Sequence, residues 1–314
     1  MTAQQRILVV VDPTALAHPA IERAAWLARA VPSALELFIC DYVATPANTR
    51  DDKTGVGGED RATRMAQYKA RLELLAEPLA AEGLKVTVDS RWDRPLHDGI
   101  VRKALEFCAD LVVKDTHFHS VLNRSIFSNT DWSLIRNCAS PLWLVKPRLP
   151  GQKPCFVAAV DPLHARDKPA DLDNKVLRTA SGFAKALAGE VQVFHGFDIA
   201  PAVAISSDSM AMPTAPPVRE IAEAMRVEHT DAVKELCARH GIPVEHIHVH
   251  EGGTRELLMT LTEQLHADVV IMGAVSRSGL KGLFLGNTAE DVLDRLPCDL
   301  LIVKPDGFKA VLPT

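Results

Sequence analysis

The sequence lacks several features that would have decided its class at once. No run of apolar residues reaches the length of about 20 that a membrane-spanning helix needs. The opening MTAQQRILVVVDP passes directly into a strand pattern, without the shape of a targeting segment. There is no basic excess: the formal net charge is -5 and the pI about 6.2. That balance argues against a nucleic-acid binder or a binder of anionic membranes, either of which needs a positive patch. The six cysteines, Cys40, Cys108, Cys138, Cys155, Cys237 and Cys298, are scattered and contain no CxxC. Reduced, mostly buried thiols are therefore expected instead of a disulfide framework. No Walker A sequence, no nucleophile elbow and no base paired with a nucleophile is visible. These absences leave a soluble, cytoplasmic protein whose chemistry is binding before catalysis.

What the sequence does have is a duplication. The stretch from Asp268 to Pro305 aligns without a gap with Asp110 to Pro147. Asp110, Val112, Ser120, Leu122, Asn129, Thr130, Leu142, Val145, Lys146 and Pro147 all meet identical residues in the second copy. Val113 with Ile271 and Leu134 with Val292 are conservative pairs among them. An ungapped match of this length reads as an internal repeat. With 314 residues and 47% hydrophobic residues, each half can bury its own core. The expected domains are 1–150 and 151–314, joined by the linker Pro150–Pro154.

The elements of each half alternate. In the first, strands are expected at Ile7–Val11, Leu35–Cys40, Val86–Ser90, Leu111–Val113 and Leu142–Val145. Helices are expected at His18–Val31, Arg61–Ala81 and Leu96–Cys108, with a loop at Thr45–Asp60. In the second half strands are expected at Phe156–Val160, Val191–Phe194, His246–His250, Asp268–Met272 and Leu300–Val303. Helices are expected at Leu172–Leu187, Val218–His240 and Arg255–His266, with a loop at Ile199–Pro217. Such alternation predicts an α/β fold of two tandem, doubly wound parallel sheets with right-handed crossovers. Ligands then sit beyond the carboxyl ends of the strands at the switch point.

The second copy carries a recognisable anion site. The strand Asp268–Met272 ends at Gly273, a Gly-, Ser- and Lys-containing loop follows, and Gly286-Asn287-Thr288 opens a helix. Asn and Thr are cap formers, and Glu290 and Asp291 suit a first turn. Strand, glycine loop and helix N-terminus together present unpaired N–H groups to a phosphate. Ser276, Arg277 and Lys281 add hydroxyl and cationic groups that suit a triphosphate. In the first copy the matching positions differ: Gly273 is matched by Asp115, Ser276 by Phe118 and Gly286 by Ser128.

These residues resemble the universal stress protein family, an α/β, Rossmann-like fold of about this domain size. The resemblance covers essentially the whole chain. The T-D-W-S-L-I-R stretch of the first half and F-L-G-N-T-A-E of the second are similar to tandem-domain members. ATP-binding members carry G-x2-G-x9-G-(S/T/N) after the fourth strand and an acidic residue at the end of the first strand, near the adenine. Carried over, the resemblance implies an adenine-nucleotide site at Asp161, Met272, Gly273, Ser276, Arg277, Gly286, Asn287 and Thr288. The middle glycine of the pattern is Ser276 here, which is less free at φ > 0. Asp161 can ligate Mg2+ or orient a water, although a hydrogen bond to the nucleoside is the plainer role. The resemblance implies a stress-response sensor or regulator that binds ATP, with slow hydrolysis at most. It also implies an intramolecular pseudo-dimer, with a further homodimer left open. A nucleotide hydrolase or nucleotidyl-transfer enzyme is the rival, as is a carrier of an apolar or sugar-nucleotide ligand in the first domain. The first half is expected to have lost the nucleotide site, leaving either a pocket with Phe118 and Phe127 in its wall or a cleft filled by side chains.

Other residues are weighed against plainer roles. His117 and His119 form an H-x-H pair that suits Zn2+ with Asp115, but a closed zinc site wants more ligands. His246, His248 and His250 share one face of a strand, for which polar outer positions are the plainer account. Lys146 and Lys304 are expected as solvated strand ends. Met210–Met212 reads as a loop tip rather than a lid.

Overall fold

The computed structural model describes residues 4–42, 61–119, 124–126, 128–148, 150–163, 171–207, 218–274 and 295–312. The chain divides into two units, Met1–Leu149 with Lys309–Thr314, and Pro150–Phe308. The C-terminal segment thus belongs with the first unit, where the Val311 N–H donates to the Asn137 carbonyl at 3.2 Å.

In the first unit the order is β1 (Gln5–Val10), α1 (Pro19–Ala30), β2 (Ser33–Asp41), α2 (Arg61–Ala81), β3 (Lys85–Trp92), α3 (Leu96–Glu106) and β4 (Leu111–Asp115). A short hairpin, β5 (His117–His119) with β6 (Arg124–Ile126), precedes α4 (Asn129–Asn137) and β7 (Leu142–Val145). The parallel strands lie in the order β7-β4-β1-β2-β3. The second unit runs β8 (Cys155–Ala159), α5 (Leu172–Ala186), β9 (Glu190–Phe197), α6 (Ala200–Ser207), α7 (Val218–Ala238), β10 (Ile247–Glu251), α8 (Thr254–Gln264), β11 (Val269–Gly273) and β12 (Asp299–Val303). Its parallel order is β10-β9-β8-β11-β12. These are two doubly wound α/β domains. Their central strands read as continuous apolar runs because both faces are covered: Ile7, Leu8, Val9, Val112, Val113, Val157, Val270 and Ile271 are fully buried.

The structure shows why the repeat is so strict. Asp110 and Asp268 each lock the start of their domain's first strand. The Arg6 N–H donates to Asp110 Oδ2 at 2.8 Å, and the Asp110 N–H returns to the Arg6 carbonyl at 2.8 Å. In the second unit the Cys155 N–H donates to Asp268 Oδ2 at 2.9 Å and the Asp268 N–H to the Cys155 carbonyl at 2.9 Å. The spacing that separates Asp110 from Asp268 also separates α3 from α8, each of 11 residues, and β4 from β11, each of 5.

It governs the helix ends too. Gly83 and Gly241 (φ 88° and 65°) are one such pair, and Cys108 and His266 (both 50°) another. Each takes the left-handed conformation just past a helix. The next N–H then reaches back to the last turn: Leu84 to Leu79, Ile242 to Cys237, Ala109 to Ala104 and Ala267 to Thr262. These bonds satisfy carbonyls that a helix end otherwise leaves open.

Several expectations need correction. The strand expected at Val191–Phe194 runs on through Gly196 to Phe197, paired against β10. Part of the expected loop at Ile199–Pro217 is helical, as α6. Asp198 Oδ1 accepts the Ala200 N–H at 2.9 Å where α6 begins. His246 belongs to a 3-10 turn, Val244–His246, so only His248 and His250 share the β10 face. The His248 Nε2–H donates to Gln192 Oε1 at 2.8 Å, and burial lowers the pKa of His248, helped by His250 and His246. Lys146 and Lys304 are not solvated: they are 5% and 2% exposed. Lys304 Nζ lies over the Phe308 ring, 4.6 Å from its centroid, so an aromatic face takes the place of water. The expected loop at 45–60 and the residues Met210–Met212 lie outside the described residues.

All six cysteines are free; five are buried and Cys108 is exposed. Burial pushes the thiols of Cys40 and Cys155 up to about 12 and that of Cys237 up to about 11. A raised thiol pKa removes the reactive thiolate at neutral pH. We expect a disulfide-exchange reagent at pH 8 to label Cys108 rapidly in the native protein and the other five only after denaturant. Rapid labelling of a second thiol in the folded state would contradict this packing.

Candidate functional site

Strand order reverses between β1 and β4 in the first unit and between β8 and β11 in the second, so each domain opens its cleft there. The residues that end these strands set the chemistry.

In the second domain Asp161 follows β8, and Met272 and Gly273 end the adjacent β11. The Asp161 side chain is 42% exposed at the strand end. Its backbone N–H donates to Asp173 Oδ1, at the start of α5, at 3.2 Å. Gly273 has a packing reason to be glycine: a Cβ there would meet Leu172 Cδ2 at 2.5 Å and Cγ at 2.7 Å. The bare backbone of β11 thus passes directly against the first residue of α5. Ser276, Arg277, Gly286, Asn287 and Thr288 lie outside the described residues.

Two residues that the sequence reading passed over brace this end of β8. The ring of His195, on β9, is buried, and its Nδ1–H donates to the Val160 carbonyl at 2.9 Å. A carbonyl can only accept, so this nitrogen carries the hydrogen; Nε2 is hydrogen-bonded to His229 Nδ1 on α7 at 2.7 Å. Phe197 stacks on His229 with ring centroids 4.5 Å apart. Because Val160 precedes Asp161, this buried chain of imidazoles holds the backbone that presents the carboxylate. In the sequence, His195 appears only as one residue in an apolar strand.

The first domain keeps the framework and inverts its charge. Asp115, at the position of Gly273, does not face an anion. Its Oδ1 accepts the Ala20 N–H at 2.6 Å, in the first turn of α1, where the N-cap residue His18 offers no side-chain cap. Ser128, at the position of Gly286, has become the N-cap of α4 in a capping box. Asp131 Oδ2 accepts the Ser128 N–H at 2.7 Å, and Asp131 Oδ1 pairs with Lys114 Nζ at 2.8 Å. In the second copy Asp131 is matched by Ala289 and Lys114 by Met272. In the first domain the N-termini of α1 and α4, which elsewhere could take a phosphate, are therefore filled by the chain's own carboxylates. Among the described residues a cavity of about 260 Å³ has Asp12, Asp41 and Asp115 in its wall; the side chains of Phe118 and Phe127 lie outside what is described. A phosphate about 4 Å from one such carboxylate would lose on the order of 4 kcal/mol at an effective dielectric near 20. That is about a thousandfold in affinity. These residues do not fit a triphosphate.

His117 and His119 lie on β5 of the hairpin. Among the described residues no group of three or more His, Cys, Asp or Glu side chains is placed to hold a metal ion.

A family model described as the universal stress protein family matches residues 4–146 and again 163–304. The chain belongs to the universal stress protein family. It is a tandem member, with one family domain in each half. It is 28% identical over 311 residues to universal stress protein E of Photorhabdus laumondii, covering 98% of each chain. It is 30% identical over 319 residues to universal stress protein E of Escherichia coli K12, covering 98% of this chain and 96% of that one. Among solved structures, a putative universal stress protein from Pseudomonas aeruginosa superposes with a TM-score of 0.74. That match is at 26% identity and covers 97% of this chain and 94% of the other. A universal stress protein from Archaeoglobus fulgidus shares the fold, with a TM-score of 0.64 over 95% of this chain and 98% of its own, at 15% identity.

Three substitutions test the strand-end geometry of this universal stress protein. Gly273→Ala should lower stability by about 1–3 kcal/mol through overpacking against Leu172. Leu172→Ala in the same chain should recover part of that loss, a coupling read by a double-mutant cycle in denaturant melts. Additive effects of the two would contradict the contact. Asp115→Ala should lose about 1 kcal/mol as the α1 cap disappears.

Proposed function

We propose that this universal stress protein is a cytoplasmic stress-response sensor or regulator that binds ATP, or a related adenine nucleotide, in its second domain only. The observation that carries this reading is the contrast between the two clefts. At the same strand ends the first domain places Asp115 and the Lys114–Asp131 pair, whereas the second has Gly273, Met272 and Ala289. In the sequence, only the second copy lacks a carboxylate at these positions. Asp161 is then the partner of the nucleoside, and Ser276, Arg277, Gly286, Asn287 and Thr288 are the partners of the phosphates, with Mg2+ as the companion ion. Slow hydrolysis is the most that this residue set supports, since no general base stands beside it in the sequence. Two tandem family domains fit an intramolecular pseudo-dimer. The last strand of each unit, β7 or β12, is a buried apolar run, Leu142–Val145 or Leu300–Val303.

Titration calorimetry of the full chain with ATP and Mg2+ should give one site per chain. Gly286→Asp should abolish binding by setting a charge and a side chain against the phosphates, and Asp161→Ala should weaken it about tenfold or more. Two equal sites, or an unchanged affinity in Gly286→Asp, would overturn the assignment.

A further inference from the structure

His195 and His229 carry no part of the nucleotide-binding pattern, yet both are buried, at 1% and 6% exposed. Burying a polar ring is costly unless it is hydrogen-bonded. The first domain does without this pair. The Val11 N–H donates to the Phe38 carbonyl and the Val160 N–H to the Phe194 carbonyl, so Phe38 and Phe194 are counterparts. Ile39 therefore stands where the second domain has His195. The first domain steadies its strand end from the long helix instead: Arg71 on α2 donates to the Pro13 carbonyl and to the Ala15 carbonyl. Arg71 and His229 stand equally far ahead of Gly83 and Gly241, the glycines that follow their helices. Each copy thus commits a side chain of its long helix to bracing the end of its first strand, by different chemistry.

In the second domain the brace closes on one peptide group. The Val160 carbonyl accepts from His195 Nδ1–H at 2.9 Å, and the Asp161 N–H of the same peptide donates to Asp173 Oδ1 at 3.2 Å. The plane that presents the Asp161 carboxylate is tied on one side to β9 and on the other to α5. His229 Nδ1 backs His195 Nε2 at 2.7 Å, and Phe197 stacks on both rings, with centroids 6.5 and 4.5 Å away.

We propose that His195 is a positioning residue for nucleotide binding in the second domain, with His229 as its support. It acts through the Val160 carbonyl on Asp161 and touches no ligand itself. The inference rests on the reading that the second domain binds an adenine nucleotide through Asp161. The physical link is population: a ligand takes only molecules whose strand end is in the competent geometry, and the apparent affinity falls with that fraction.

Calorimetry of the full chain with ATP and Mg2+ tests this. His195→Ile installs the first domain's residue and removes the bond to Val160. Affinity is expected to fall about tenfold, on the scale of one buried hydrogen bond. His195→Asn, whose amide N–H can stand in for Nδ1–H, is expected to recover most of the loss. In an Asp161→Ala background His195→Ile is expected to cost no further affinity, while its lower denaturation midpoint persists in both backgrounds. A general weakening of the fold would lower affinity by the same factor with or without Asp161, and that additive result would overturn the proposal. Unchanged affinity in His195→Ile would overturn it too. Should His195→Ile not fold, His229→Leu takes its place in the same comparison: it keeps the bond to Val160, removes the support behind the ring, and is held to the same two outcomes. Lack of ATP binding by the unaltered protein would count against the nucleotide reading and this inference together, whereas ATP binding indifferent to His195 would overturn the inference alone.

Discussion

Everything at the two clefts depends on a carboxylate at the opposite end of the sheet. Asp110 and Asp268 tie the start of β4 to β1 and of β11 to β8 through paired bonds to the backbone. That tie sets the register, Ile7 against Leu111 and Phe156 against Val269. A slip of one residue would turn every side chain of a doubly buried strand to the other face. It would also displace the strand ends by about 3.3 Å, since parallel strands rise by that much per residue. With the register fixed, Asp12 and Asp115 in one domain, and Asp161 and Gly273 in the other, must arrive beside each other. The locks are remote from the cleft, yet they decide what can meet there.

On this shared backbone a few exchanges invert the electrostatics. Helix N-termini attract anions. The first domain supplies those anions itself: Asp115 reaches α1 and Asp131 caps α4, with Lys114 compensating the buried Asp131. The exchange works as a unit. Asp131 is fully buried, and without Lys114 it would be a buried charge with no countercharge, which is strongly destabilising. Met272 and Ala289 show the converse in the second copy, where cation and carboxylate are both gone. The first domain thus caps these helix ends with hydrogen bonds from its own carboxylates.

Much of this was legible in the sequence, for identifiable reasons. The duplication follows from ungapped identities such as Asp110 with Asp268 and Asn129 with Asn287. The α/β alternation follows from short apolar runs set between helical patterns, and α2 occupies the expected Arg61–Ala81. What escaped was whatever depends on partners distant in sequence. Asp115 reads as a carboxylate facing a phosphate site, and only the fold reveals Ala20 opposite it. Lys146 and Lys304 read as solvated because a lysine before proline usually is, and burial appears only with the packed chain. The hairpin β5–β6 has too few residues per strand to show a period. The helix α6 hides in a stretch whose proline and serine content reads as loop.

The imidazole pair shows how a site can be supported by residues that carry no motif. His195 and His229 come from β9 and α7, are both buried, and act on Asp161 through the carbonyl of Val160. The Val160 carbonyl can only accept, so the His195 Nδ1–H donates to it, and the two rings are joined at 2.7 Å. Phe197, stacked on His229, restricts the ring motions that would let the pair rearrange. The strand end that presents Asp161 is therefore held by a polar contact sealed within an apolar layer. In such a layer a satisfied hydrogen bond is strong and an unsatisfied one is costly. That asymmetry keeps the carboxylate's backbone in place whether or not a ligand is bound.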